Sequence, residues 1–332
     1  MLKLKYLFFN KSLAVEGIRK WKTEINNAEE LLPYFRISSN AIYPFRNNDN
    51  VCFLRLAPVE EKMKDNEYGE IEFIQYLREH NFPALKPLPS LNDELIEIIK
   101  TEWGMYFASV FERVEGVPIE DTDLNDNIIF VYGKTLGTFH RLASDFRPSV
   151  KKWTYEDVLE WIEKELGLYG AQTAAMNEYI EVKNLLETLP KNQKNFGLVH
   201  YDFEPDNVFY DVKTETCNVI DFEDGVYHWF ALDIEQVFDS LAEFMDEERV
   251  AVARKIFLNG YCTEFEISSN MLALLPVFRR FIDLYSYTRI IHSTSEILDN
   301  EPDWLNKIKE KLNWKKDSIL ARMKKRQDYI SM

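Results

Sequence analysis

The sequence predicts an α+β fold that combines antiparallel hairpins with long amphipathic helices. Residues 41–56 and 208–220 each contain two β-type apolar segments joined by a polar turn, which is typical of a hairpin. Residues 128–143 carry apolar side chains at intervals of three and four, which is typical of a helix. The chain has 332 residues and is 46% hydrophobic, so it can form one large domain or two lobes around a buried core.

The first elements along the chain are helical turns followed by a hairpin. Residues 12–32 have helix-like spacing and predict one or two short helices. Residues 41–45 and 51–56 predict the two strands of the first hairpin. Because side chains alternate across a strand, Arg55 shares a face with Phe53. A charged residue on a partly apolar face needs a partner.

The next helix offers that partner. Residues 69–80 predict a helix, and at 100° per residue Glu70 points into its apolar stripe, whereas Glu72 points nearly the opposite way. A carboxylate that faces a core is costly unless it is paired. We therefore expect Glu70 to pair with Arg55, and a salt bridge at the rim to some other base is the alternative.

Beyond this helix the pattern predicts a strand at 105–111, which ends in a segment containing Gly116 and Pro118. The remaining chain is mostly helical apart from the second hairpin. Helices are expected at 128–143, 153–168 and 173–189, from residue 227 onward, through 257–261, at 274–291 and, with a strongly basic face, at 305–323.

The second hairpin places polar side chains at the ends of its strands. His200, Asp202 and Asn207 lie on the loop that enters the hairpin, and Asp221 follows its last strand. Two carboxylates and an amide can therefore converge on one point. Magnesium takes hard oxygen ligands, typically one or two carboxylates together with substrate phosphates. The stretch thus predicts a magnesium and phosphate site with Asn207 and Asp221 as metal ligands.

Asp202 is the candidate base of this site. In phosphoryl transfer the protein holds Mg²⁺ on the phosphate oxygens and orients the attacking hydroxyl toward a carboxylate. The spacing His-x-Asp-x-x-x-x-Asn, followed by Asp221-Phe222 at a strand end, matches the catalytic-loop and metal-loop signatures of kinases. A single His or Asp in a loop is usually a cap or turn residue, but four polar types at these offsets seldom coincide.

At these residues the chain resembles the superfamily of aminoglycoside phosphotransferases and choline kinases, the small-molecule relatives of the protein kinases. Leu-Gly-Thr-Phe-His at 136–140 and Leu-Asp-Ile at 232–234 are further matches. One difference is Tyr201, where most small-molecule members carry Gly. The resemblance implies a two-lobed, protein-kinase-like fold: a small antiparallel-sheet lobe, residues 1–115, and a larger, mostly helical lobe, residues 116–332.

The resemblance also implies how a nucleotide binds. Arg55, braced by Glu70, stands where a Lys or Arg reaches the nucleotide phosphates. Backbone groups from Glu112 to Val114 stand where the superfamily binds adenine. The chain has no glycine-rich loop in this lobe, so Ser38 and Ser39 are expected to lie over the phosphates with their hydroxyl and backbone N–H groups.

Several further residues take implied roles around the loop of Asp202. His200 is expected to be a scaffold that holds this loop, and Asp233 is expected to accept its backbone N–H groups. His140 is expected to pack in the core rather than bind a ligand. Glu223 or Asp224 is the candidate for a further contact with metal or acceptor.

The function implied is a phosphotransferase that moves the γ-phosphate of ATP or GTP to a hydroxyl of a small molecule, with Mg²⁺ as metal. Acidic residues at the lobe boundary and in the second lobe would concentrate a cationic acceptor; they include Glu115, Glu120, Asp121, Asp123, Glu243, Asp246 and Glu247. Two alternatives stay open: a Ser/Thr protein kinase of the same superfamily, and a nucleotide-binding protein without turnover.

Composition excludes several other classes. The net charge of −16 argues against a nucleic-acid partner, because binding a phosphate backbone needs a basic surface. Cys52, Cys217 and Cys262 lie far apart without metal-ligand spacing, which favours reduced thiols in a cytoplasmic protein. No apolar run is long enough to predict a membrane span. The pattern leaves the oligomeric state open.

Overall fold

The chain is described by a computed structural model that covers residues 3, 9–23, 30–37, 40–48, 50–296 and 302–330. Its first part is built on an antiparallel sheet. The elements in chain order are α1 (Lys11–Ile18), β1 (Arg36–Ile37), β2 (Ala41–Asn47), β3 (Asn50–Pro58), α2 (Lys64–Glu79), β4 (Pro87–Leu88), β5 (Glu97–Thr101) and β6 (Gly104–Glu112). The strand order is β1-β2-β3-β6-β4, and β5 also pairs with β6.

The second part is mostly helical. Its elements are β7 (Val117–Pro118), α3 (Asp126–Asp145), α4 (Tyr155–Leu168), α5 (Thr173–Glu187), β8 (Phe196–Val199), β9 (Val208–Asp211), β10 (Thr216–Val219), β11 (Val226–Trp229), α6 (Ala231–Phe244), α7 (Glu247–Tyr261), α8 (Ser269–Leu272), α9 (Leu275–Ser293) and α10 (Asp303–Ile330). Its strands form two small antiparallel sheets, β10-β9-β7 and β11-β8.

The predicted two-lobed α+β class is confirmed by this arrangement. The division of the lobes at residue 115 stays a prediction. One element differs from its prediction: residues 226–229 form strand β11, and the helix begins only at Ala231. The strand pairs Val226 with Val199, a long-range contact that local apolar spacing does not reveal. Helix α2 also begins earlier than predicted, at Lys64.

Strand β3 separates a core from a cleft, as the alternation of its side chains requires. Cys52, Leu54 and Leu56 are buried in a cluster with residues of α1. Phe53 and Arg55 lie on the opposite face and line the cleft between the lobes. The sheet therefore supports the cleft from behind.

The basic carboxyl-terminal segment forms the predicted amphipathic helix α10. Its buried side includes Leu305, Ile319 and Met323. Arg322 and Arg326 both contact the buried Asp283 of α9, so ion pairs fix the helix to the large lobe. In the part of the chain that the structure describes, no helix combines the length and hydropathy needed to cross a membrane.

Candidate active site

Two loops of the second hairpin meet at the floor of the cleft. Loop 200–207 connects β8 to β9, and loop 220–225 connects β10 to β11. The N–H of Ile220 donates to the carbonyl of Asn207 at 3.0 Å. The ring of His200 lies with Nε2 at 3.0 Å from the carbonyl of Ile220. His200 thus joins the two loops, in agreement with the scaffold role expected of it.

Asp202 and Asn207 are in direct contact. The amide nitrogen Nδ2 of Asn207 donates to Oδ2 of Asp202 at 2.8 Å and to its carbonyl at 3.1 Å. Because the nitrogen is committed to Asp202, the amide oxygen of Asn207 is the atom left for a cation. Asp202, Asn207 and Asp221 all line the same cleft, so the structure brings together three residues that the sequence singled out.

Asp233 holds loop 200–207 from below. Its two carboxylate oxygens accept the N–H groups of His200 and Tyr201 at 2.8 and 2.9 Å. The carboxylate is fully buried, and its Oδ2 also lies 3.0 Å from Nε2 of His140. The other ring nitrogen of His140 lies 2.9 Å from the hydroxyl of Tyr261. His140 is thus a buried, hydrogen-bonded residue of the core.

Tyr201 adopts a backbone conformation that normally favours glycine, with φ of +65°. Its carbonyl accepts a hydrogen bond of 2.6 Å from the amide of Gln236, which helps to hold this conformation. Its buried ring packs edge-on against Tyr285, with centroids 5.2 Å apart. The loop therefore has at this position the backbone geometry of a glycine, together with a buried aromatic side chain that packs on α9.

The cleft has a volume of about 510 Å³, which suits a small-molecule ligand. Its apolar walls come from both lobes and its polar end contains loop 200–207. The lining includes Ile42, Pro44, Phe53, Leu85, Phe111, Phe209 and Ile220 as apolar residues, and Arg55, Glu112, Val114 and Glu223 as further predicted residues. Ser38 and Ser39 lie outside the described residues.

Arg55 and Glu70 form the predicted ion pair. Nη1 and Nη2 of Arg55 donate to Oε1 and Oε2 of Glu70, both at 2.7 Å, and Nε donates to Ser109 at 3.3 Å. Both charged side chains are buried. Glu72 points the other way, as its helical phase predicts, and accepts the N–H groups of Ser149 and Val150.

Burial sets the electrostatics of the carboxylates on the cleft floor. Burial raises the pKa of Asp221 to about 6, Asp224 adds to the shift and Arg55 opposes it. Burial also raises the pKa of Asp202 well above its usual range, and Glu204 contributes in the same direction. Both residues are thus carboxylates with little compensating positive charge.

This donor set fits a divalent cation. Within the described ranges, no three His, Cys, Asp or Glu side chains converge on a metal position. Magnesium needs no such cluster, because it binds through one or two carboxylate or amide oxygens and takes its other ligands from phosphates and water. Asp221, whose pKa is raised by burial, and the amide oxygen of Asn207 meet that requirement.

Basic residues around loop 220–225 were not assigned to the site from sequence. Lys152 donates to the carbonyls of Phe222 and Glu223 at 3.1 and 2.7 Å and is buried. Arg289 of α9 contacts Asp224 at 2.7 Å. No local pattern marks Lys152, because its partners lie about seventy residues away. The partner of Arg289 is likewise distant, since Asp224 lies 65 residues away in sequence.

Comparison with known proteins adds the family. The model of the phosphotransferase enzyme family matches residues 38–270, which is more than half of the chain. The chain belongs to the phosphotransferase enzyme family. The predicted superfamily and the predicted enzyme class, a phosphotransferase, are therefore confirmed. The matched segment contains Arg55, Glu70, Asp202, Asn207 and Asp221.

Several kinases are similar to this chain over most of its length. An amicoumacin kinase of Bacillus subtilis (strain 168) is 24% identical over 305 residues, 86% of this chain and 85% of that protein. An amicoumacin kinase solved with AMP-PNP, Ca²⁺ and Ami has a TM-score of 0.76 at 19% identity, covering 96% of this chain and 95% of that one. A microcompartment-associated aminopropanol kinase has a TM-score of 0.72 at 15% identity, covering 96% and 98%.

Proposed function

We propose that this phosphotransferase moves the γ-phosphate of ATP, or of GTP, to a hydroxyl group of a small cationic molecule. The observation that carries the proposal is the contact of Asp202 with Asn207 in a cleft that also contains Asp221 and Arg55. A base, two oxygen ligands for a cation and a buried guanidinium in one cleft are the parts that phosphoryl transfer requires.

The nucleotide base is assigned to the apolar end of the cleft, beside strand β6. The N–H of Arg113 donates to Val51 of β3. Since neighbouring residues of a strand point their backbone groups to opposite sides, Glu112 and Val114 turn theirs away from β3. The carbonyl of Glu112 and the N–H of Val114 are thus suited to hydrogen-bond the edge of an adenine. Ile42, Phe53 and Phe209 would enclose its faces.

The phosphates are assigned to the polar end, with Mg²⁺ held by Asp221 and the amide oxygen of Asn207. Bound Mg²⁺ would neutralise the developing charge on the phosphate oxygens. Asp202 receives the amide of Asn207 on Oδ2, so we assign Oδ1 as the atom that accepts the proton of the acceptor hydroxyl. Its raised pKa makes it a stronger proton acceptor than an exposed aspartate.

A cationic acceptor is supported by the carboxylates beside loop 200–207. Burial raises the pKa of Glu204 to about 7, and Asp206 and Glu243 add to the shift while Lys315 opposes it. Such a site favours an ammonium group, which would supply the missing positive charge. The name of one structural neighbour, an aminopropanol kinase, denotes an amino alcohol as its substrate. We extend that substrate class to this chain.

The proposed acceptor is tested with a panel of hydroxyl compounds in the presence of ATP, GTP and Mg²⁺. Amino alcohols and aminoglycosides should be phosphorylated, whereas matched alcohols without an amine should react poorly. Glu204→Gln should raise KM for the amine by about tenfold if an ion pair is lost, and should leave KM for ATP unchanged. Label on protein bands alone would instead indicate a protein kinase.

We assign the reaction to the cytosol, because Cys52, Cys217 and Cys262 form no disulfide.

A further inference from the structure

Glu223, two residues after Asp221, is held by side chains of the opposite lobe. Its Oε1 contacts the ammonium of Lys62, which follows β3, and its Oε2 accepts a hydrogen bond from the amide of Asn40, at the start of β2. Glu223 also lines the cleft. The three side chains, which we call the Glu223 clasp, therefore connect the two lobes across the phosphate end of the cleft.

Arg55 is poorly suited to form and break contacts with a phosphate when a nucleotide binds and leaves. Its Nε, Nη1 and Nη2 are all engaged by Ser109 and Glu70, and only 5% of its surface is exposed. Its guanidinium also lies over the ring of Phe111, 5.0 Å from the centroid. Arg55 contributes a fixed positive charge. A phosphate therefore needs a second cation to gain a direct charged contact that Arg55 does not offer.

Lys62 meets that need. Its side chain is long and flexible, and it contacts a carboxylate that lines the cleft. Glu223 stands two residues after Asp221, so the ammonium of Lys62 lies beside the loop that carries the proposed metal ligand.

Asn40 supplies an independent sign that a ligand belongs here. The residue is 4% exposed and lines the cleft, yet its amide oxygen is buried without a hydrogen-bond partner among the described residues. An unsatisfied buried acceptor is unfavourable. A metal-bound water or a nucleotide hydroxyl beside Glu223 would satisfy it. The clasp is thus complete only when something occupies the cleft next to it.

We propose that Lys62 is the mobile phosphate-binding residue of this enzyme, and that the Glu223 clasp exchanges partners when a nucleotide binds. Without nucleotide, Lys62 neutralises Glu223. With nucleotide, the ammonium of Lys62 moves to a phosphate oxygen and Glu223 turns to the divalent cation, so each charge gains a more highly charged partner. This inference rests on the proposed nucleotide site and adds to it a residue with a defined task.

The test is the affinity of metal-free ADP and of adenosine, measured by calorimetry in EDTA with wild-type protein, Lys62→Met and Glu223→Gln. Loss of Lys62 should weaken ADP binding about tenfold, the value of one charge-assisted hydrogen bond, and leave adenosine unchanged. Glu223→Gln should strengthen ADP binding in EDTA, because it removes the competitor for Lys62. The same variant should gain less affinity from added Mg²⁺ than the wild type gains.

The two variants are expected to change ADP affinity in opposite directions, and this distinguishes an exchange of partners from a clasp that merely connects the lobes. A tether between the lobes would make both variants change ADP affinity in the same direction, and that result would overturn the inference. Lys134→Met is the matched control, since Lys134 pairs with Glu264 on the outer face at 3.8 Å and should bind ADP like the wild type. If the wild type binds neither ADP nor adenosine, the proposed function itself fails. If the wild type binds both and Lys62→Met binds ADP as tightly as the wild type does, only the exchange is wrong.

Discussion

Arg55 of strand β3 and Glu70 of helix α2 meet through two parallel hydrogen bonds of 2.7 Å and are both buried. Two buried charges stabilise a fold only as a pair, because each alone would carry the full cost of desolvation. The pair therefore fixes α2 against the sheet and keeps a positive charge at the polar end of the cleft.

We expect Glu70→Ala to lower the free energy of unfolding by about 3 kcal/mol, since it leaves the buried Arg55 with the more distant carboxylate of Glu67, at 3.7 Å. Urea denaturation measures the change. Glu79→Ala, at the exposed end of the same helix, is the control and should alter stability by less than about 0.5 kcal/mol. Equal effects of the two substitutions would contradict the account.

We expect Asp233→Asn to lower both the stability of the protein and its turnover number, because Asp233 holds loop 200–207. Asparagine keeps one oxygen and replaces the other with an NH2 group, so one of the two backbone N–H groups loses its acceptor and stability should fall by about 2 kcal/mol. Because the position of Asp202 depends on this loop, kcat should fall while KM for ATP changes little. Kinetics together with urea denaturation measure both quantities. Unchanged kcat in a folded variant would show that the loop keeps its geometry without Asp233.

At position 201 we expect the glycine variant to be more stable than the alanine variant, which is the reverse of the usual order. Removing its buried ring should destabilise the protein in both Tyr201→Ala and Tyr201→Gly. At φ of +65°, however, alanine is strained and glycine is not, so the glycine variant should be the more stable by about 1 kcal/mol. At ordinary positions alanine is the more stable of the two. Thermal unfolding of both variants measures this difference. If Tyr201→Ala is the more stable variant, the loop has relaxed to a conformation that alanine tolerates.

His292 predicts a pH dependence of stability. Its ring nitrogens lie 2.8 Å from Glu165 and 2.9 Å from Glu61. Burial works to lower the pKa of His292, but the hydrogen bonds to the two carboxylates outweigh it and the pKa is raised. A raised folded-state pKa adds stability that is fully present below the unfolded-state pKa, about 6.5 for histidine, and is lost as pH rises through the folded-state value.

The difference in unfolding free energy between wild type and His292→Asn should therefore be larger at pH 6 than at pH 9. Taking the difference removes the titrations that both proteins share. Urea denaturation at the two pH values measures it. A difference that grows with pH would mean that the imidazole is neutral in the folded protein.

The sequence pattern alone predicted those features of the fold that depend on a regular spacing of side chains or on residues close in sequence. Alternation along β3 placed Phe53 and Arg55 on one face, which the structure shows to line the cleft. Helical phase distinguished Glu70 from Glu72 before any contact was known. Local pattern was insufficient where the partner is distant in sequence. Residues 226–229 form a strand only because β8 lies beside them.

The charged contacts around Glu223 were hidden for the same reason. Lys62 and Asn40 are more than 150 residues away from it, and neither carries a local signal. The candidate base and metal ligands, in contrast, stand at fixed offsets around a single hairpin. Their proximity therefore followed from the sequence, whereas the assignment of their roles still awaits experiment.

The central claim is that Asp202 accepts the proton of the acceptor hydroxyl. The most direct test compares transfer of the labelled γ-phosphate of ATP to an amino alcohol by wild type, Asp202→Asn and Asp211→Asn, the last a partly exposed residue at the end of β9 in the same hairpin. The account predicts that Asp202→Asn binds ATP normally but loses at least about a hundredfold in kcat, while Asp211→Asn transfers like the wild type. Full transfer by Asp202→Asn would contradict the account.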